Sequence, residues 1–172
     1  MDDDNQLTLL FSSVKATIFD FDGVFTDNKV YVDQNGVESV CCWRSDGLGL
    51  QRLKRLGIQT LIVSTEKNPV VTMRAQKLGV DCMQGVDDKA GAILEWSNRN
   101  HISLSQVCFV GNDINDIPAL KKVGIPVGVR DSYEEIHAYV KYRTESCGGR
   151  GAVREVCDLI WRANKEGRVS NA

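Results

Sequence analysis

Two hydrophobic rhythms alternate along the chain. Short runs with almost no polar interruption, "KATIFDF" (15–21), "IQTLIVS" (58–64), "VDCMQG" (80–85), "QVCFVG" (106–111) and "IPVGV" (125–129), read as strands. A strand covered on both faces needs continuous apolar character rather than strict alternation, so the pattern predicts a parallel sheet between two layers of helix. The intervening segments 47–56, 68–78, 88–100, 115–123 and 132–140 read as helices, with Leu53 and Leu56, then Ala90, Ile93, Leu94 and Ser97, at helical spacing. Val153, Val156, Cys157, Ile160 and Trp161 form an i, i+3, i+4, i+7, i+8 stripe that closes the chain as an amphipathic helix. Strand–helix alternation with short connections predicts right-handed crossovers and an open, three-layer α/β sheet. Trp43, Trp96 and Trp161 read as packing residues.

Two segments break the alternation. In "NKVYVDQNGVESVCCW" (28–43), Asn35-Gly36 separates two strand-like runs, a local hairpin signal that predicts a flap above the strand ends. The acidic start, "MDDDNQLTLLFSS" (1–13), lacks the positive region of a secretory signal. It reads as a frayed leader whose Leu9, Leu10 and Phe11 dock on the domain.

Composition narrows the class. A length of 172 residues suits a single domain over 1–172, and a formal charge of −2 gives no electrostatic case for nucleic acid or an anionic membrane. No apolar run approaches the roughly 20 residues that span a bilayer. The six cysteines form no CxxC, and His101 and His137 are far apart. Reduced thiols in a cytoplasmic protein are therefore expected, rather than a disulfide framework or a zinc site.

The chemistry gathers at the strand ends, where open α/β sheets carry their reactive groups. The first strand runs directly into Asp20 and Asp22, and a carboxylate there is costly to desolvate unless something compensates its charge. The second ends in "STEK", giving Ser64 and Thr65. Lys89 follows the third at a helix start, with Asp87 or Asp88 as cap. The fourth ends in "GNDIND" (111–116). Carboxylates, a hydroxyl, a lysine and an acidic loop on one edge can bind Mg²⁺ through oxygens and a phosphate through the hydroxyl, the lysine and backbone N–H groups.

At these residues the chain resembles the haloacid dehalogenase superfamily of phosphatases over nearly its whole length. "DFDGVFTD", Ser64, Lys89 and "GNDIND" look like its four motifs in order. The resemblance implies a Rossmann-like three-layer parallel sheet with a β-hairpin flap after strand 1. It also implies a catalytic pair, Asp20 as nucleophile and Asp22 as general acid and base, with Ser64, Thr65 and Lys89 binding phosphate. Mg²⁺ would be held by the Asp20 carboxylate, the Asp22 backbone carbonyl and the fourth motif, through Asn112 and Asp113, with Asp116 behind them. Asn112 departs from the pattern, since most relatives place an aspartate there. One lost anionic ligand should weaken the metal.

Neither the stretch between Asp20 and Ser64 nor that between Ser64 and Lys89 has room for a cap domain. This matches a capless branch that includes phosphatases of 3-deoxy-D-manno-octulosonate 8-phosphate and of N-acylneuraminate 9-phosphates, as well as C-terminal domains of some cytidylyltransferases. Members are typically homotetramers whose hairpins pack together. Within the branch, Glu66, Arg74 and Lys77 look like the nine-carbon enzymes, so a sialic-acid-type 9-phosphate is the expected substrate and the octulosonate the alternative. Arg74 and Lys77 would reach a neighbour's substrate carboxylate, and Arg150 in "GGRGAVREV" (148–156) an adjacent site. The segment 148–172 would thus comprise a Gly-rich turn, a closing helix and a tail.

Plainer readings stand beside these. Ser64 can be a helix cap, Arg74 and Lys77 surface charges, and 148–151 a turn with Arg150 exposed. Asp46, before "GLG", reads as the cap of its helix, with substrate in reach through the loop. A non-catalytic regulatory domain beside a sugar-activating partner is the rival that Asn112 favours. A phospho-receiver fits less well, because it presents its acidic pair before the first helix and its acceptor on a later strand.

Overall fold

The computed structural model of the chain describes residues 2–169, with side chains within 5–165. In chain order its elements are α1 (Asp2–Ser12), β1 (Ala16–Phe19), β2 (Tyr31–Val32), β3 (Glu38–Ser39), α2 (Asp46–Arg55), β4 (Gln59–Val63), α3 (Val70–Leu78) and β5 (Asp81–Met83). There follow α4 (Lys89–Arg99), β6 (Val107–Gly111), α5 (Ile117–Leu120), β7 (Ile125–Gly128), β8 (Tyr142–Arg143) and α6 (Ala152–Val169). Six strands pair in the order β5-β4-β1-β6-β7-β8, all parallel, and β2 and β3 form a separate antiparallel hairpin.

The continuous apolar runs have the expected cause. Phe19, Cys108 and Val110 face one core with Phe11, Leu53, Val153, Val156 and Ile160, while their neighbours Ile18, Val107 and Phe109 face a second with Ile93, Trp96 and Leu120. Period-two alternation within a strand thus feeds both layers. The outer layers are α1, α2, α3 and α6 on one side and α4 and α5 on the other. β1 lies between β4 and β6, where the strand order reverses, so its end opens into the crevice of the sheet.

Several expectations change. The leader is a helix: Phe11 is buried, Leu7 and Leu10 pack against the core, but Leu9 is 75% exposed. The 115–123 segment divides into a 3-10 turn at Ile114–Asp116 and α5, and 132–140 tightens to a 3-10 helix at Glu134–Tyr139. β8 was not legible, being two residues long. In the closing stripe Val153, Val156, Cys157 and Ile160 are buried, whereas Trp161 lies under the cations of Arg52 and Lys165. Trp96 is buried, but Trp43 is 45% exposed. The last residues of the expected tail, 170–172, lie outside the described residues. All six cysteines are free, and no described helix is long and apolar enough to cross a membrane.

The hairpin forms by a wider turn than a two-residue Asn-Gly connection. Gly36 N–H donates to Asp33 O (3.0 Å), Asp33 N–H donates to Val37 O (3.1 Å), and Gly36 takes the positive φ of 77°. This is a type I turn closed by a left-handed glycine. A bridge between Thr26 and Cys42 ties the flap's base together.

Candidate active site

β1 positions the first acid. The Asp20 N–H donates to Val110 O (2.9 Å), extending the ladder one residue past Phe19 and setting the carboxylate just beyond the sheet. Asp20 Oδ1 accepts the Phe21 N–H (2.7 Å) and lies 2.8 Å from Lys89 Nζ. Lys89, a buried residue, also donates to Asp116 Oδ1 (2.7 Å). It opens α4, whose N-cap is Asp88: the Asp88 carboxylate accepts the Gly91 N–H (2.9 Å).

The residues after Asp20 coil into one tight turn, in which the Phe25 and Thr26 N–H groups both donate to Phe21 O. The Phe25 ring stacks on Phe21 and meets Phe19 edge-on, anchoring the turn in the core. Gly23 sits at φ 75°, and a Cβ there would lie 2.0 Å from Asn112 Nδ2. The Asn112 carboxamide therefore rests directly on the turn that carries Asp22. From another side Gly149 N–H donates to Val24 O (3.0 Å), and a Cβ on Gly148 would come within 1.8 Å of Gly23 O. These two glycines shape the acid-bearing turn of their own chain, a contact that only the pairing of distant segments reveals.

Ser64 extends β4 by one bond, its N–H donating to Met83 O (2.9 Å). Its Oγ accepts the Glu66 N–H (3.1 Å), which leaves the hydroxyl proton available, and Thr65 lies half-buried beside it. In the fourth segment Asp116 Oδ2 accepts the Asn112 N–H (2.8 Å) and the Asp113 N–H (3.3 Å). Asp113 accepts the Ile114 N–H (2.6 Å) in a capping box. One oxygen of the expected metal ligand Asp113, Oδ1, is thus engaged by the backbone. Asn112 Oδ1 is buried with no hydrogen-bond partner.

Burial dominates the electrostatics. It pushes the Asp20 pKa up to about 7, reinforced by the Asp116 charge and opposed by Lys89. Burial works to lower the Lys89 pKa, but the two carboxylates outweigh it and the net shift is upward. One ammonium thus serves two acids, and the surplus negative charge adds to the lift on Asp20. Asp22, half-buried, is raised first by burial and then by the Glu66 charge, against the pull of Lys89 and a Thr26 hydrogen bond.

Among the described residues no group of three or more His, Cys, Asp or Glu side chains is arranged to hold a metal. The side-chain oxygens on offer are the Asp20 carboxylate and the partnerless Asn112 amide oxygen. A buried, orphaned Asn112 Oδ1, linked to the under-compensated Asp20 through Asp116 and Lys89, fits a hard cation. A cleft of about 190 Å³ opens beside Asp22, lined by the flap on one side and by Glu66, Asn68 and Val70 on the other.

Four expected substrate residues lie away from this chain's own cleft, three of them, Arg74, Lys77 and Arg150, being expected at a neighbour's site. Asp46 caps nothing and is 1% exposed, out of a substrate's reach in this chain. Neither of its oxygens has a hydrogen-bond partner of ordinary geometry; burial pushes its pKa up to about 7, tempered by the Arg154 backbone and by the Arg74 and Arg154 charges. Arg74 donates to Trp43 O (2.9 Å) at the flap's return. Lys77 and Arg150 are exposed, and neither they nor Arg74 line the cleft. Glu66 does line it, with its Oε1 accepting the Lys67 and Asn68 N–H groups.

The haloacid dehalogenase-like hydrolase family matches residues 50–155, a span that includes Ser64, Lys89 and the 111–116 loop. The 3-deoxy-D-manno-octulosonate 8-phosphate phosphatase KdsC of Salmonella typhi is 34% identical over 161 residues, covering 93% of this chain and 85% of its own length. Among solved structures, the phosphatase of that name from Moraxella catarrhalis, in complex with magnesium, phosphate and the sugar acid, superposes with a TM-score of 0.90 at 32% identity, over 97% of this chain and 98% of its own. The cobalt-bound deoxy-D-mannose-octulosonate 8-phosphate phosphatase of Haemophilus influenzae gives 0.87 at 28% identity, over 95% and 96%. The chain belongs to the haloacid dehalogenase-like hydrolase family and is a phosphatase of that family. Phosphatases of this family use Mg²⁺.

Proposed function

We propose that the chain removes phosphate from a phosphorylated sugar acid, 3-deoxy-D-manno-octulosonate 8-phosphate foremost, through a phosphorylated Asp20. The observation that carries this reading is the sealed Asp20–Lys89 pair, 2.8 Å apart, joined through Asp116 to the residue with the orphaned oxygen, Asn112. The names of the relatives favour the eight-carbon substrate over the nine-carbon one expected from Glu66, Arg74 and Lys77. Glu66 lining the cleft keeps the nine-carbon acid as a second reading.

In the first half-reaction Asp20 attacks phosphorus while the bond to the sugar oxygen breaks, and Asp22 gives that oxygen its proton. In the second, Asp22 takes a proton from water, whose oxygen attacks phosphorus and frees Asp20 and inorganic phosphate. The raised pKa of Asp22 is the direction an acid needs if it is to meet substrate protonated. Lys89 offsets the repulsion between carboxylate and phosphate, and the Ser64 hydroxyl with the Thr65 segment binds phosphoryl oxygens. Asp116 orients Lys89. Asp20, the Asp22 carbonyl and Asn112 would hold Mg²⁺, which would supply charge neutralisation at the phosphoryl group.

The flap exposes Val30, Tyr31, Val32 and Val37 to between 52% and 62%. A homotetramer joined through these flaps would cover the cleft, and its free thiols suit a cytoplasmic setting. Light scattering that returns a strict monomer would contradict the shared assembly. The substrate is tested by side-by-side turnover of the eight- and nine-carbon phosphates with Mg²⁺. Faster release from the nine-carbon compound would reverse the preference for the eight-carbon one.

A further inference from the structure

The acid-bearing turn rests on Gly148 and Gly149, and neither glycine has a side chain to pack. Their place is therefore decided by what their backbone groups bond. Gly149, at φ 62°, donates its N–H to Val24 O (3.0 Å), and Gly148 donates to Asp131 Oδ1 (2.8 Å). Upstream, the Glu155 carboxylate accepts the Glu145 and Ser146 N–H groups (both 2.8 Å). Glu155 thus holds the entry of this segment, and Asp131 holds it where it meets the turn.

Asp131 is itself anchored to the sheet. It lies in the loop after β7, and that loop is tied to the end of β6: Val129 N–H donates to Gly111 O (3.2 Å) and Tyr133 N–H to Asn112 O (2.9 Å). Ser132 N–H closes back on Val129 O (3.1 Å). From this base the contacts run through Asp131 and Gly148 to the carbonyl oxygens of Gly23 and Thr26, which a Cβ on Gly148 would approach to 1.8 and 3.1 Å. Thr26 in turn hydrogen-bonds the Asp22 side chain.

We infer that Asp131 is a positioning residue for the reaction: its carboxylate oxygen fixes the Gly148–Gly149 backbone against the acid-bearing turn and so aims Asp22 at the leaving oxygen. This rests on the reading of Asp22 as general acid above. Neither glycine can replace a lost bond by packing of its own, so without Asp131 the turn gains room to shift. An acid displaced by about an ångström no longer meets the leaving oxygen as its bond to phosphorus breaks. The loss should fall on esters whose leaving group needs a proton and spare those that depart as stable anions.

The test compares wild type, Asp131→Ala, Asp131→Asn and Asp22→Asn on phenyl phosphate, whose leaving group needs the proton, and on p-nitrophenyl phosphate, whose leaving group does not. The ratio of kcat/KM for the phenyl ester to that for the nitrophenyl ester should fall about tenfold in D131A and furthest in D22N. It should stay near wild type in D131N, whose amide oxygen still accepts the Gly148 N–H. The ratio cancels any loss of folded enzyme, and D131L, which also lacks an acceptor, replaces D131A should that variant not fold. Equal losses on both esters in D131A, or a ratio in D131N as low as in D131A, overturn the inference. If D22N keeps the wild-type ratio, or wild type cleaves neither ester, the reading of Asp22 fails by itself. Asp131 is then judged by amide hydrogen exchange at Phe25 and Thr26, which close the turn. Exchange about tenfold faster in D131A and unchanged in D131N sustains the bracing, whereas wild-type rates in D131A overturn it.

Discussion

Lys89 Nζ stands 2.8 Å from Asp20 Oδ1, with both side chains nearly sealed from water. The pair is tied to a third charge, since Asp116 Oδ1 is 2.7 Å from the same nitrogen. Lys89→Met would leave two buried acids with no cation. Phosphate release should fall by roughly a hundredfold to a thousandfold. Stability should fall by on the order of 3 kcal/mol, softened by protonation of one acid. Urea denaturation beside a phosphate assay reads both effects.

Asn112 gives the metal an amide oxygen where a carboxylate would add charge, and its Oδ1 has no other partner. Asn112→Asp is expected to tighten Mg²⁺ by about tenfold in calorimetry. Without Mg²⁺ the same change adds a third carboxylate to the Asp20–Lys89–Asp116 cluster, so Tm should drop in chelator and recover at saturating Mg²⁺.

Gly148 touches the acid-bearing turn so closely that a methyl group there would sit 1.8 Å from Gly23 O. Gly148→Ala must displace that turn and should cost about 1–3 kcal/mol. Because Asp22 rides on the displaced segment, kcat is expected to fall by at least about tenfold. A variant with wild-type kcat and Tm would contradict this account of the glycine pair.

Asp46 is buried with no hydrogen-bond partner of ordinary geometry, and burial raises its pKa from 3.8 to about 7. The folded state then binds its proton more tightly than the unfolded state. The resulting stability is complete below pH 4 and is lost as pH rises through about 7. Asp20 contributes a slope of the same sign. The difference between wild type and Asp46→Asn isolates Asp46: the decline in Tm from pH 5 to pH 8 should be shallower in the variant. Parallel declines would show that Asp46 does not titrate in this range.

Much of the architecture could be read from residue order. The five longer strands, the flap and the buried stripe of α6 follow from which positions are apolar, because burial on one or both faces imposes a period on the chain. The strand-end residues Asp20, Asp22, Ser64, Lys89 and the 112–116 loop were equally legible, since a parallel sheet brings successive strand ends to one edge. Other features depend on partners far away in sequence. β8 exists because Tyr142 and Arg143 pair with β7, a stretch too short for any periodicity to announce. Asp113 and Asn112 are adjacent, yet one carboxylate caps a turn while the neighbouring amide oxygen is left free, a difference set by Asp116 and Gly23. Asp46 reads as a helix cap but caps nothing and is buried near Arg74 and Arg154. Hydrophobic period is a local property and survives in a linear reading, whereas the charge and hydrogen-bond environment of a side chain is a sum over neighbours that only the folded chain assembles.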